Sequence, residues 1–244
     1  MKSYIAIILL FIFLITTGLI KKSVPKVLIF CKTAGFHHSS IPSGIDAIEK
    51  LGGEYGFETD TTTDATLFYP SNLKKYAAII FLNTTGTLFN EDQEKAFKAY
   101  IESGGGFMGI HAATDAEYQW PWYGQLAGAW FVSHPAQQQA TLHVVDTVSD
   151  ATKHLPREWT RFDEWYNFKN ISSDIHVLIT IDESSYKGGI NGSFHPMAWY
   201  HKFDGGRAFY TELGHTEQSY SDPLYLRHIL GGIRYAIGES EIKN

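Results

Sequence analysis

The stretch Lys26-Val-Leu-Ile-Phe-Cys31 decides the fold class, because it is apolar at every position after its first residue. An unbroken apolar run of this length is typical of a strand whose two faces are both buried in a parallel sheet. Similar runs occur at 77–82 and 107–110, and a shorter strand is expected at 56–61. Four such strands separated by helices predict a doubly wound α/β sheet with right-handed crossovers.

Helical patterns lie between these runs. Ser39-Ser40 precedes a helix predicted at 41–51, which Gly52-Gly53 is expected to end. Asn90 can cap a second helix, which Gly104-Gly105-Gly106 stops. The triple glycine is not interpreted as a phosphate-binding loop, because it precedes its strand and lacks a following Lys-Ser/Thr.

The second half of the chain changes to a pattern of strands, with no linker or internal repeat between the halves. We therefore expect one α/β domain from residue 25 to 244, whose later strands extend the sheet. Strands are predicted at 141–146, 161–168, 175–181, 197–202 and 207–211, and a last helix at 223–237.

Composition excludes several classes of protein. The 244 residues are 44% hydrophobic and 19% charged, which excludes a disordered chain. Lys and Arg total 20 against 26 acidic residues, so no nucleic-acid partner is expected. A single cysteine excludes an internal disulfide and a multi-cysteine zinc site. The 11 His and 14 Tyr suit either an aromatic pocket that handles protons or an ordinary aromatic core.

The first residues have the pattern of a targeting segment. Lys2 precedes an apolar run at 4–20, and Lys21-Lys22 follows it. Residues 1–24 are therefore predicted to be a signal peptide, with an uncleaved N-terminal anchor as the alternative. Either interpretation places the folded part outside the cytoplasm, in a bacterial periplasm or cell envelope. Contact with the membrane is expected only through this segment, if it is uncleaved.

Two histidine motifs follow predicted strands, where ligands of open α/β sheets bind. Gly35-Phe-His-His38 follows the first strand; His37 is a site candidate, and His38 is expected to be solvated. Gly109-Ile-His-Ala-Ala113 has small residues two before and two after His111, as a sharp strand-to-helix elbow requires. An imidazole presented there can serve as a base, an acid or a metal ligand, or be a buried structural group.

Polar residues of the second half stand among aromatic ones. Glu164 lies in Asp163-Glu-Trp-Tyr166, where a buried carboxylate is costly without a partner. Glu212 and His215 follow a predicted strand and can reach the same edge of the sheet. Further candidates, assigned to substrate binding, are Asp115, His134, Tyr166, His195, Trp199 and Arg207.

Five motifs lie at 35–38, 105–115, 133–135, 163–166 and 206–215. Together they resemble the ThuA-like (trehalose utilisation) family over residues 26–238. The resemblance implies a flavodoxin-like, mostly parallel sheet of the class I glutamine amidotransferase type. It also implies that His111 occupies the position of the amidotransferase cysteine, which excludes glutaminase chemistry. The family is linked to trehalose and related disaccharides through 3-keto-sugar intermediates.

The first functional hypothesis is an enzyme, a hydrolase or lyase of a disaccharide or an oxidised (3-keto) glycoside. A carbonyl at C3 acidifies the neighbouring C–H, so a base can remove that proton and the glycosidic oxygen can leave. We expect His111 or Glu212 to be the base and Glu164 to orient a histidine. Acid, oxyanion-donor or metal-ligand roles fall to His37, His195 and His215. The sequence specifies no cofactor, and a divalent metal is left open because no histidine pair has metal-motif spacing.

The second hypothesis is a non-catalytic carbohydrate-binding protein, in which aromatic rings carry the affinity and polar groups fix the orientation of the sugar. Both hypotheses give a small sugar as the partner. They are distinguished by turnover, which only the first predicts. Assembly into a homo-oligomer is left open.

Overall fold

The computed structural model describes residues 24–239, in which strands and helices alternate through the first half of the chain. In chain order the elements are β1 (Lys26–Phe30), α1 (Ile41–Tyr55), β2 (Glu58–Thr62), α2 (Pro70–Leu73), β3 (Ala78–Leu82), α3 (Glu91–Glu102), β4 (Gly106–Ile110), α4 (Pro121–Ala127), β5 (Trp130–Ser133), β6 (Gln138–Val144), β7 (Glu158–Asp163), β8 (Asn167–Lys169), β9 (His176–Ile181), β10 (Pro196–Phe203), β11 (Gly206–Thr211) and α5 (Pro223–Ile237).

Nine strands form one sheet in the order β2-β1-β3-β4-β11-β10-β9-β6-β7, and β5 pairs with β8 in a separate ribbon. The first five strands of that order are parallel, which is the flavodoxin-like arrangement with β11 as its fifth strand. The last four are joined by antiparallel pairs. The predicted fold class is therefore confirmed, and the extra strands of the second half form the antiparallel extension.

The parallel half is covered on both faces, as its unbroken apolar runs predict. The residues of β1 from Val27 to Phe30 are fully buried, and β3 and β4 are buried along their whole length. Helix α5 packs on β4 and β11. A Cβ at Gly106 would overlap with the backbone of Ala236, so glycine at the start of β4 allows the end of α5 to approach the sheet.

The first helix is longer than predicted. It continues through Gly52-Gly53 to Tyr55 and ends at Gly56, which is left-handed with φ +84°. A glycine inside a helix costs only about 1 kcal/mol relative to alanine, which the rest of the helix can outweigh. A Cβ at Gly52 would lie 2.7 Å from the carbonyl oxygen of Phe57, so the glycine permits the chain to fold back closely there.

The two predicted helix caps have different outcomes. Asn90 caps α3 in a capping box with Gln93, as predicted. Ser40 makes no capping hydrogen bond, and that prediction is wrong. Its hydroxyl instead donates to the carbonyl oxygen of Gly214 over 3.2 Å, which connects the start of α1 to the segment after β11.

The strand predicted at 161–168 is also wrong in one respect, because the chain forms two strands, β7 and β8, that belong to different sheets. The segment between them, which contains Glu164, has no regular structure. This break frees Glu164 from the ladder and allows its side chain to turn towards the ends of the parallel strands. The remaining strands of this half and α5 are confirmed with small shifts of their ends.

Residues 1–23 lie outside the described part of the chain, so the signal peptide or anchor predicted at 1–24 stays a prediction, as does export. Between residues 24 and 239, no helix has the length and apolar character needed to cross a membrane.

Candidate functional site

The elbow predicted after β4 places His111 at the carboxyl edge of the sheet. His111 has φ +49° and begins a short 3-10 helix, His111–Thr114. A Cβ at Gly109 would lie 3.0 Å from the Cβ of Ala113, which explains why both positions carry small residues. A non-glycine residue in this region of φ costs about 1–3 kcal/mol and is found disproportionately at functional sites.

Four side chains converge at this edge and are called the His–Glu cluster: His38, His111, Glu164 and His215. Each offers one ligand atom, and these atoms lie within 4.8 Å of one another. His215 Nδ1 lies 3.1 Å from both His111 Nε2 and Glu164 Oε2. The distance from His111 Nε2 to Glu164 Oε2 is 3.5 Å. The three histidines follow the parallel strands β1, β4 and β11, whereas Glu164 comes from the antiparallel extension.

Backbone contacts fix the orientation of His111. Its Nδ1 lies 2.6 Å from the carbonyl oxygen of Glu212. A carbonyl only accepts, so Nδ1 carries the proton and the lone pair of Nε2 faces the cluster. The ring of Tyr166 packs 4.3 Å from that of His111, and the hydroxyl of Tyr210 donates to the His111 carbonyl. The imidazole is therefore held in one orientation and one tautomer.

Glu212 lies behind His111 and is fully buried. Its Oε1 accepts a hydrogen bond from the backbone N–H of Tyr166 at 2.9 Å, and its Oε2 has no hydrogen-bond partner. Burial, together with the negative charge of Asp163, raises the pKa of Glu212 well above its ordinary value. This favours the neutral carboxylic acid, closed off from the open side of the cluster.

His38 lies in the cluster and His37 faces solvent, which is the opposite of what the sequence predicted. His38, expected in solvent, is only 2% exposed, and its ring lies 5.0 Å from that of His111 and 5.1 Å from that of His215. Burial and the neighbouring imidazoles lower the pKa of His38 to about 3, so the ring is neutral. The exposed His37 contacts the hydroxyl of Thr33 at 3.1 Å and lies outside the cluster.

Glu164 contacts histidines through both of its oxygens. Oε2 faces the cluster, and Oε1 lies 3.1 Å from Nδ1 of His134, whose side chain is 41% exposed. Burial opposes ionisation of Glu164, but the neighbouring imidazoles of His111 and His215 outweigh it and lower the pKa of the carboxyl. Glu164 is thus a carboxylate between a buried cluster and an exposed imidazole.

The open side of the cluster carries three further side chains. The Gln137 amide contacts Nε2 of His215 at 2.7 Å. Phe36 is 65% exposed, and its ring lies 4.8 Å from that of His38. His134 completes the set. Neither Phe36 nor Gln137 was predicted as a site residue, although Phe36 lies within the Gly35–His38 motif.

Asp163 is a third residue that sequence reasoning missed. It is fully buried, and its Oδ1 accepts from the backbone N–H of Glu164 at 3.1 Å. Its Oδ2 accepts from the N–H of Gly214 at 3.2 Å and from the Ser219 hydroxyl at 3.1 Å. One carboxylate therefore joins the segments that carry Glu164 and His215. The acidic pair at 163–164 was the available signal, but only its second member was selected.

Comparison with known proteins gives the family. The family model for ThuA, described as trehalose utilisation, matches residues 26–236. The chain belongs to the ThuA family. The predicted resemblance is confirmed, and it assigns the chain to a carbohydrate-related family.

Solved structures agree with this assignment. A ThuA-like protein from Bacteroides uniformis is 24% identical, with a TM-score of 0.74 over 91% of this chain and 94% of the other. One from Parabacteroides merdae is 20% identical, with a TM-score of 0.72 over 91% and 93%. A β-galactosidase from Bacillus circulans is 12% identical, with a TM-score of 0.57 over 89% of this chain and 31% of its own. At these identities the likeness shows a shared fold alone.

Several predicted residues of this ThuA protein lie outside the cluster. His195 is buried between Glu183 Oε1 at 2.8 Å and the carbonyl oxygen of Tyr166 at 2.7 Å, where it supports the chain behind His111. Trp199 is fully buried and donates to the carbonyl oxygen of Ala127. These two side chains line the interior of the ThuA domain and do not border the open side.

Arg207 and Asp115 are the other candidates that the cluster does not include. Arg207 pairs with Gly106 at the amino ends of β11 and β4, and its Nε donates to the carbonyl oxygen of Ala236. It therefore lies at the opposite edge of the sheet from His111. Asp115 follows the elbow and accepts a hydrogen bond from Tyr118 at 2.7 Å.

Proposed function

We propose that this ThuA protein is an enzyme that acts on a disaccharide or an oxidised (3-keto) glycoside, with the His–Glu cluster as its reacting centre. The observation that carries the proposal is the convergence of His38, His111, Glu164 and His215 at an elbow in a positive-φ conformation. Such clusters of titratable groups at strand ends are typical of catalytic sites. The family's description as trehalose utilisation supports the substrate class.

The chemistry begins with a proton made acidic by a carbonyl. In a 3-keto glycoside, a base removes the proton from C2 and leaves an enolate. The electrons of the enolate then form the C1–C2 double bond and break the bond from C1 to the glycosidic oxygen, which takes up a proton from an acid. The reaction needs one group that moves protons and another that stabilises the enolate oxygen.

His134 is the side chain best placed to move the proton. Nδ1 of His134 lies 3.1 Å from Glu164 Oε1, so the carboxylate orients the imidazole, and the ring of His134 is open to solvent. The base role expected for His111 or Glu212 is less well supported, because both are fully buried. His215 is the most exposed member of the cluster and is assigned here to stabilising the enolate oxygen.

A glutaminase activity is not supported. The elbow carries His111, and the sole cysteine of the sequence, Cys31, is buried beside β2, where its thiol contacts the carbonyl oxygen of Thr62. The thiol is thus turned towards the end of β2 and is not a member of the His–Glu cluster.

The test is a turnover assay on 3-keto glycosides and the matching unoxidised disaccharides, with products separated by chromatography and identified by mass. We expect turnover by the wild type and a loss of about 10²–10⁴-fold in kcat for His134→Ala. The matched control is His176→Ala, an exposed histidine paired with Asp146 at the start of β9, which should keep wild-type turnover. Absence of turnover across the panel, or equal rates for both variants, would contradict the proposal.

The alternative is a non-catalytic carbohydrate-binding protein, favoured by the exposed ring of Phe36 at the rim, which offers a face for the C–H side of a sugar. This alternative expects sugar binding with no turnover of any glycoside. It also expects sugar binding to keep its normal strength when His111 and Glu212 are both replaced.

A further inference from the structure

We infer that the His–Glu cluster binds one divalent transition-metal ion, of the class that takes nitrogen ligands, through His38, His111, Glu164 and His215. The inference rests on the proposed function only for the role of the ion, because binding itself can be measured without a substrate. Nothing in the family description assigns a metal to these residues.

The ligand atoms of the cluster suit a transition-metal ion. Three imidazole nitrogens and one carboxylate oxygen suit zinc and its first-row neighbours, whereas magnesium and calcium prefer oxygen alone. A tetrahedral zinc with bonds of about 2.0–2.1 Å separates its ligand atoms by about 3.3 Å. The distances of 3.1, 3.1 and 3.5 Å among His111, Glu164 and His215 bracket that value. No two of the four ligand atoms are more than 4.8 Å apart, so small movements of the side chains would bring all of them to one ion.

His111 and His215 are also held by contacts to the ring nitrogens that face away from the cluster. His111 donates from Nδ1 to the carbonyl oxygen of Glu212, and Nε2 of His215 contacts the side-chain amide of Gln137. Metal-bound histidines typically donate in this way from the nitrogen that does not bind the ion, as His111 does. His215 would take the same arrangement with the Gln137 amide turned so that its oxygen, and not its nitrogen, faces Nε2. Each ring is thus fixed from behind, and its other nitrogen faces the cluster.

A single N–H of His215 Nδ1 cannot satisfy the cluster, because it faces two acceptors, Nε2 of His111 and Oε2 of Glu164. With its proton on Nδ1, His111 presents a lone pair at Nε2 to the carboxylate oxygen of Glu164, which is also rich in electrons. His38 is almost fully buried, and its Nδ1 has no hydrogen-bond partner, which is costly in a folded protein. A cation at the centre removes the repulsion and gives the imidazoles a common partner.

The position of the ion also suits the proposed chemistry. The cluster is closed from behind by Glu212 and Tyr166, and its open side carries Phe36 and His134. An ion there would polarise the C3 carbonyl of a keto-sugar and stabilise the enolate oxygen. His134 is not among the four ligands and stays free to move the proton.

The experiment measures metal binding by the full folded chain, with any purification tag removed. Protein stripped with a chelator is titrated with Zn²⁺ and Mn²⁺ by calorimetry, and metal content after dialysis is measured by mass spectrometry. We expect about one ion per chain and a higher Tm on binding, because a ligand of the native state stabilises it. Co²⁺ should give visible absorption bands from nitrogen coordination.

Matched variants locate the ion. His38→Ala and His215→Ala should lose at least about 100-fold in affinity, since even groups that only support a ligand are worth 10–100-fold. His37→Ala, next to His38 but exposed and outside the cluster, should bind as the wild type does. If His38→Ala does not fold, His38→Gln keeps a polar side chain of similar length and takes its place.

Two results would overturn the inference: no binding of any of these ions by the folded wild type, or wild-type affinity in folded His38 and His215 variants. The outcome is separable from that of the proposed function. One bound ion without turnover of any glycoside rejects the function and retains the metal site. Turnover by protein that binds no ion rejects the metal site and retains the function.

Discussion

The two halves of the sheet contribute differently to the site. The parallel half supplies three imidazoles at the ends of β1, β4 and β11, which are adjacent to or near one another in a buried sheet. The antiparallel extension supplies the negative charge. Glu164 is the carboxylate of the cluster, and Asp163 holds the Glu164 backbone by accepting a hydrogen bond from its N–H. His134 comes from the loop before β6 in this same half.

This difference shows how a common α/β scaffold can gain a cluster of polar side chains at the edge of its sheet. The parallel strands bring their carboxyl ends together in any fold of this type, so residues there are neighbours by topology. The extension is specific to this architecture, and it reaches the edge only because the chain leaves β7 at Asp163 and returns in β8. The positions of the histidines thus depend on the parallel sheet, whereas the position of the Glu164 carboxylate depends on how the antiparallel strands are connected to it.

Asp163→Ala is expected to have the largest effect, because Asp163 connects the segments that carry Glu164 and His215. It leaves the N–H groups of Glu164 and Gly214 and the hydroxyl of Ser219 without their buried acceptor, at about 1–3 kcal/mol for each group. We expect the free energy of unfolding, measured in urea, to fall by about 3 kcal/mol or more. Asp163→Asn, which keeps one acceptor oxygen, should recover part of the loss.

The matched control is Asp46→Ala on the exposed face of α1, which should change stability by less than about 0.5 kcal/mol. Equal effects of the two alanine substitutions would show that the halves are held together by other contacts.

A second test uses the dry interior of the parallel half, where His228 is buried between the carbonyl oxygen of Ala151 and the hydroxyl of Thr211. Burial lowers the pKa of His228 from 6.5 to about 4. The unfolded chain then binds the proton first as pH falls, so stability is full above pH 6.5 and is lost between pH 6.5 and 4. From pH 7 to 5 the wild type should lose about 2 kcal/mol more than His228→Gln. Identical losses in the two proteins would contradict a neutral buried His228.

The smallest effect on stability is expected at the rim of the parallel half. Phe36→Ala removes an exposed ring, so stability should change by less than about 0.5 kcal/mol. If the ring contacts the sugar, KM should rise about tenfold while kcat changes little, since such a contact binds substrate and transition state alike. Tyr55→Ala, at the far end of α1 and half-exposed, is the control and should leave KM unchanged. A KM equal to that of the wild type would remove Phe36 from the site.

Much of the scaffold was predictable from local patterns. The apolar runs of β1, β3 and β4 are long enough to require burial on both faces, and Asn90 caps its helix through contacts within one turn. The errors come from contacts distant in sequence. Ser40 looked like a cap but bonds to Gly214, and the run at 161–168 looked like one strand but is divided between two sheets.

The site divides in the same way. The position of His111 was predictable, because the small residues on either side of it, Gly109 and Ala113, are those that a sharp elbow requires. The choice between His37 and His38 was not, since two adjacent histidines in a loop offer no periodic signal of which one is buried. Asp163 was equally hidden, because its three donors come from distant segments as well as from its neighbour.

The sequence by itself determined the parallel sheet, the elbow that presents His111 and the family, because each depends on residues close together or on motifs in order along the chain. The tertiary structure decided which four side chains meet and which face solvent. It did so because the distance between β4 and β7, and the bonds that join Glu164 to His215, are set by packing across the whole sheet.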